Sequence, residues 1–128
     1  MTTTRQIFLV EDDIPVQFLL DTVLTDAGFD VVVAGNGMQA LAELETHAPR
    51  FGALITDINL GAGPDGWAVS RRARDLVPDL PVVYITGGNA YEWPSKGVSK
   101  SVLLTKPFAW DRLITTLSAL LTAPTPAV

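Results

Sequence analysis

The chain has 128 residues, 14 acidic and 9 basic, for a formal charge of −5, a length that suits a single domain and is expected to leave no room for a fused output module. With 48% hydrophobic and 18% charged residues it can build an ordinary core, which argues against disorder and against a small stapled scaffold. The sequence has no cysteine, so disulfides, thiolate metal sites and thiol nucleophiles are excluded, in keeping with an expected cytoplasmic location. The N-terminus leads into only four apolar residues, Ile7 to Val10, too few for a signal peptide, and no run reaches the ~18 residues of a membrane span. An acidic balance without a Lys/Arg cluster argues against nucleic acid as a partner.

Short apolar runs alternate with segments of helical period, five times over. Ile7-Phe8-Leu9-Val10 is continuous rather than alternating, as in a strand buried on both faces. Pro15 suits a first helical turn; Val16, Leu19, Leu20, Val23, Leu24 and Ala27 trace one face, and Gly28 stops the helix. Val31-Val32-Val33-Ala34 reads as a second strand, followed by a helix carrying Leu41, Leu44 and Ala48 that Pro49 ends. Ala53-Leu54-Ile55-Thr56 is the third strand, after which residues 61–66, Gly-Ala-Gly-Pro-Asp-Gly, form a turn-rich loop. Val69, Ala73, Leu76 and Val77 mark a helix ended by Pro78, and Val82 to Thr86 is a β-branched, aromatic fourth strand. Gly87-Gly88 and Pro94 predict a short or distorted fourth helix. Val102-Leu103-Leu104 is the fifth strand, Leu113, Leu117, Leu120 and Leu121 define the last helix, and residues 123–128 form a frayed tail. The predicted fold is therefore α/β, doubly wound, a five-stranded parallel sheet between helical layers, with residues 1–6 as an extension, 7–122 as the domain and 123–128 as a flexible tail.

In such a sheet, function gathers beyond the carboxyl ends of the strands. The first strand ends in Glu11-Asp12-Asp13, the third in Asp57, the fourth in Thr86 and the fifth in Lys106-Pro107. Carboxylates from Glu11, Asp12 and Asp57 crowd about three negative charges together and raise one another's pKa values. One dication plus the Lys106 ammonium would cancel them, and Mg²⁺ suits the set because it takes oxygen ligands and bridges carboxylates to phosphate. Attack by Asp57 on a phosphoryl donor would give an aspartyl phosphate, with Lys106 and the Thr86 hydroxyl placed for the equatorial oxygens.

The set Glu11-Asp12, Asp57-Ile58-Asn59, Asp65-Gly66, Thr86-Gly87 and Lys106-Pro107-Phe108 resembles the receiver domain of two-component response regulators, over residues 6 to 122. The resemblance implies a flavodoxin-like strand order 2-1-3-4-5. It implies that Asp57 accepts a phosphoryl group from the phosphohistidine of a histidine kinase or histidine phosphotransfer protein. It further implies that Glu11, Asp12, Asp57 and the backbone carbonyl of Asn59 hold Mg²⁺, that Thr86 is the switch hydroxyl, that Lys106 senses the phosphate, and that Lys106-Pro107 is cis. Three departures stand out: Leu103 where many receivers carry Tyr or Phe, a loop 59–66 that is one residue longer and lacks Met-Pro, and the irregular fourth helix.

Simpler readings compete at individual positions. Asp13 reads as a helix-start residue, His47 as a solvated surface residue, Trp67 and Phe108 as packing residues, and Arg71, Arg72 and Arg74 as a solvated face. Trp93 and Trp110 are expected to be partly exposed, and aromatics at 91–93 and 110 would mark a partner surface only if contiguous. The expected function is a phosphorylation-controlled protein-binding switch or relay intermediate, a monomer or weak dimer with an unspecified downstream partner, rather than a turnover enzyme. The alternatives are a phosphorylation-independent interaction module, which Leu103 and the irregular fourth helix motivate, and an aspartate-nucleophile hydrolase, against which Asn59 stands where a general acid would be needed.

Overall fold

A computed structural model describes residues 6–88, 90–107 and 109–122; Phe108, the first five residues and the tail 123–128 lie outside the described residues. The strands are β1 (Gln6–Val10), β2 (Asp30–Ala34), β3 (Phe51–Asp57), β4 (Val82–Thr86) and β5 (Val102–Thr105). The helices are α1 (Ile14–Asp26), α2 (Gly37–His47), α3 (Gly66–Leu76), α4 (Trp93–Lys96) and α5 (Trp110–Thr122). All strand pairs are parallel, in the order β2-β1-β3-β4-β5. This is the doubly wound sheet the alternating apolar runs predict.

The side-chain period of two divides each strand between two cores. Phe8, Val10, Leu54, Val82 and Tyr84 face α2 and α3, where they meet Ala40, Leu44, Trp67, Val69 and Ala73. Ile7, Leu9, Ile55, Val83, Ile85 and Leu104 face α1 and α5, where they meet Leu20, Leu24, Leu113 and Leu117. Burial on both sides is why the strands read as unbroken apolar runs.

Three helices begin on side chains that accept from orphan backbone donors. Asp13 accepts from Val16 N (3.2 Å), Asn36 from Gln39 N (2.8 Å) and Asp65 from Ala68 N (2.9 Å). Asp13 is thus the helix-start residue the sequence indicates. The fourth helix is a single turn preceded by a 3₁₀ turn at Ala90–Glu92, with Pro94 in its first turn; Pro lacks the N–H that would continue an earlier helix.

Some expectations need correction. β3 starts at Phe51 rather than Ala53, because Gly52 conceals the strand pattern while the buried Phe51 ring stacks on Phe8 at 4.5 Å. On α1, Leu19 is 49% exposed and Ala27 lies past the last turn as an exposed cap, so the buried stripe narrows to Leu20 and Leu24. Arg74 does not join a solvated face: its guanidinium Nε donates to Leu80 O at 2.6 Å and is partly buried. Arg72 reaches across to α2 and forms two hydrogen bonds to Glu45, at 2.6 and 3.0 Å. His47 stays at the surface, as expected, with its Nδ1 2.9 Å from Glu43 Oε1. Trp93 and Trp110 are partly exposed, as expected, Trp93 through a ring whose Nε1 donates to Ser101 Oγ at 2.9 Å, while Tyr91 is 80% exposed. Among the described residues no helix is long and apolar enough to cross a membrane.

Candidate functional site

The strand register brings the polar strand ends together. Val10 of β1 lies beside Thr56 of β3, Asp57 beside Ile85 of β4, and Thr86 beside Thr105 of β5. The residues just beyond keep the ladder going: Glu11 N donates to Ala34 O (3.1 Å), Ile58 N to Ile85 O (3.2 Å) and Lys106 N to Thr86 O (2.7 Å). Side chains some 50 residues apart in sequence are thereby fixed at one edge by backbone hydrogen bonds rather than by loop conformation.

Glu11, Asp12 and Asp57 each bring a carboxylate oxygen within 4.8 Å of the others. Lys106 Nζ donates to Asp57 Oδ2 at 3.2 Å and stands 3.7 Å from Glu11 Oε1. The other Asp57 oxygen, Oδ1, accepts from Asn59 N at 3.3 Å. Asp12 is exposed and Asp57 half-buried, but Glu11 is only 1% exposed. Its Oε2 accepts from Asp13 N (3.3 Å), while Oε1 is fully buried without a hydrogen-bond partner among the described residues. A carboxylate oxygen so placed is costly unless a cation meets it. Burial, and then the neighbouring Asp57 charge, push the Glu11 carboxyl up to about 8, against the lowering pull of Lys106. Burial works against the Lys106 ammonium, but Asp57 and then Glu11 outweigh it and hold it above its ordinary value.

A buried carboxylate oxygen with no hydrogen bond among the described residues and only the Lys106 ammonium at 3.7 Å, in a cluster of three carboxylates, fits a hard divalent cation with oxygen ligands. The residues present therefore suit the Mg²⁺ that the sequence analysis anticipates.

Thr86 is buried at the end of β4, and its Oγ1 accepts from Gly88 N at 3.1 Å. Lys106-Pro107 is cis. Gly66 opens α3 against the strand end: a Cβ there would sit 2.3 Å from Asp57 O, and Gly66 N donates to Ile58 O at 2.8 Å. The following Trp67 is a buried packing residue whose ring meets Tyr84 at 4.7 Å.

Sequence reasoning did not find the buried chain behind the site. Val98 N donates to Tyr84 Oη (3.0 Å), Tyr84 lies 2.5 Å from Ser70 Oγ, and Ser70 donates to Trp67 O (2.9 Å). Because the Ser70 proton is used on Trp67, Tyr84 is the donor to Ser70. Leu103, half-buried, is the partner of Tyr84 across β4 and β5.

Comparison with known proteins agrees with this geometry. The response regulator receiver domain model matches residues 7–118. The chain is 32% identical over 121 residues to the response regulator receiver protein CpdR of Brucella abortus, covering 93% of this chain and 98% of CpdR. It is 33% identical over 116 residues to the C4-dicarboxylate transport transcriptional regulatory protein DctD of Rhizobium meliloti, covering 89% of this chain but only 25% of DctD. Among solved structures it is similar to a response regulator receiver protein from Sinorhizobium medicae, with a TM-score of 0.90 and 41% identity over 94% of this chain and 96% of that one. With the strand order, the convergent acidic edge and its lysine all in place, the chain belongs to the response regulator receiver domain family.

Proposed function

We propose that this receiver accepts a phosphoryl group on Asp57 and thereby switches its affinity for a protein partner. The observation that carries the reading is the Lys106 ammonium bonded to Asp57 within a cluster of three carboxylates. Receiver domains interact with histidine kinases or phosphotransfer proteins, and the donor for this chain is taken to be such a protein's phosphohistidine. A lone pair on an Asp57 carboxylate oxygen forms the new O–P bond as the P–N bond breaks. The electron pair returns to the imidazole nitrogen, which then takes a proton from solvent.

The chain's own residues prepare that step. Lys106 Nζ and Asn59 N hold the two Asp57 oxygens in place, which supplies orientation in advance. Lys106 then offers its point charge to a phosphoryl oxygen, and Thr86 offers the hydroxyl at the neighbouring strand end. Glu11, Asp12, Asp57 and the Asn59 carbonyl are the groups that would hold Mg²⁺, which when bound neutralises charge on the phosphoryl oxygens. The acyl phosphate adds about one negative charge and three acceptor oxygens at Asp57. Only a conformation of the Thr86 and Lys106 segments that binds those oxygens better can then gain population.

The test is incubation with acetyl phosphate, with and without Mg²⁺, followed by intact mass measurement. The wild type gains one phosphoryl group in the presence of Mg²⁺, and Asp57→Ala gains none. Equal labelling of both proteins, or none of either, would overturn the assignment.

A further inference from the structure

The loop that joins β3 to α3 rests on the start of α2. An ideal Cβ on Gly37 would lie 2.0 Å from Pro64 O, 2.8 Å from its carbonyl carbon and 3.0 Å from its Cβ. No side chain fits there, since every one of these distances is shorter than van der Waals contact. The same loop bends through Gly61 and Gly63, both at positive φ, where glycine is favoured. A Cβ on Gly61 would be 3.8 Å from Asp12 Oδ2, and one on Gly63 would be 3.7 Å from Met38 Cγ. The loop therefore runs from the Asp12 carboxylate, past Met38, to a seat on Gly37.

That seat is rigid on the α2 side. Asn36 caps the helix through Gln39 N, Gly35 N donates to Gln39 Oε1 at 2.9 Å, and Ala40 and Leu44 are locked into the core. The loop is anchored at both ends as well, by buried Ile58 and Leu60 and by the Gly66 N to Ile58 O bond. Its middle, residues 61 to 64, carries the two left-handed glycines and lies beyond the buried Leu60 anchor. A side chain at 37 would push the Pro64 carbonyl outward and carry Gly63 and Gly61 with it.

We infer that Gly37 is a positioning residue for the acidic pocket, its bare Cα seating the Pro64 carbonyl so that loop 61–64 is held against the Asp12 carboxylate. This deepens the reading of the pocket as the phosphorylation site and rests on it.

The test compares Gly37→Ala with Gly35→Ala, where a new Cβ would meet only the ends of Gln39 and Gln17 at 3.4 and 3.7 Å. Amide exchange is followed first, on cation-free protein. Gly37→Ala exchanges faster at residues 61–65 while α2 and the sheet keep their protection; Gly35→Ala matches the wild type. The Mg²⁺ concentration for half-maximal labelling by acetyl phosphate then rises about 10-fold in Gly37→Ala, as when an outer support of a metal ligand is lost, while labelling at saturating Mg²⁺ is retained. Exchange and Mg²⁺ dependence both equal to those of Gly35→Ala overturn the inference, even if the melting temperature falls. Should Gly37→Ala not fold, Pro64→Gly frees the loop from its other side, and unchanged exchange at 61–63 in that variant overturns it equally. A wild type that takes no phosphoryl group defeats the Asp57 assignment, and the exchange comparison still decides the role of Gly37.

Discussion

Glu11 is the residue on which charge and burial meet. It carries a buried oxygen with no hydrogen-bond partner among the described residues, beside two other carboxylates. Its carboxyl is raised from 4.5 to about 8, so without a cation the folded protein holds this proton more tightly than the unfolded chain does. The resulting stabilisation is fully present below about 4.5 and is lost as pH rises toward about 8. In cation-free buffer, the stability of wild type relative to Glu11→Gln is therefore expected to fall between those two values, as read by denaturant titration at a series of pH values. Mg²⁺ reverses the loss, because a metal ligand must give up its proton; a difference that stays flat with pH would refute the account. The sequence shows that Glu11 belongs to an acidic set. It does not show which of the acids is buried, since that depends on the chain of Glu11 turning inward beneath Lys106 while Asp12 faces solvent.

At the scale of elements, the hydrogen-bonded run from Val98 through Tyr84 and Ser70 to Trp67 ties the segment before β5 and the sheet to α3. Tyr84→Phe strands the Val98 amide and leaves Ser70 without its donor, at an expected cost of about 1–2 kcal/mol in denaturant-derived stability. Ser70→Ala in the same protein adds less than it does alone, because both substitutions break one network; full additivity would show the two hydroxyls to be independent. Asp65→Ala removes the acceptor for Ala68 N at the start of α3 and should cost about 1 kcal/mol, measured in the same way. Elements with strong periodicity were legible: β4 runs over Val82–Thr86 as read, and the irregular α4 was signalled by Gly87, Gly88 and Pro94. Tyr84 and Ser70 were not, because their partnership spans two elements and each residue alone reads as an ordinary member of its own.

The whole molecule is a sheet with one core on each face, and the layers predict how substitutions sort. Leu117→Ala opens a cavity under α5, where the residue is fully buried, with an expected loss of about 2–5 kcal/mol. Phe18→Ser on α1, at a side chain 70% exposed, is expected to change stability by no more than about 0.5 kcal/mol. Thermal unfolding of the two variants checks both, and a large loss from Phe18→Ser would mean that α1 packs more deeply than described. The layered plan was legible from unbroken apolar runs such as Ile7 to Val10, and so was the edge at which Glu11, Asp12, Asp57 and Lys106 converge. The contact of Gly37 with Pro64 was not, because it joins two backbones and leaves no mark in side-chain chemistry. The strand order adds a mechanical consequence. Asp57 rides on β3, which is clasped by β1 and β4, whereas Lys106 follows β5, whose four residues pair with β4 alone. Shifting the acceptor would tear two ladders, whereas the amine hangs from a rim strand that would part from only one neighbour, so displacing the anionic half of the pocket costs more backbone pairing than displacing the cationic half.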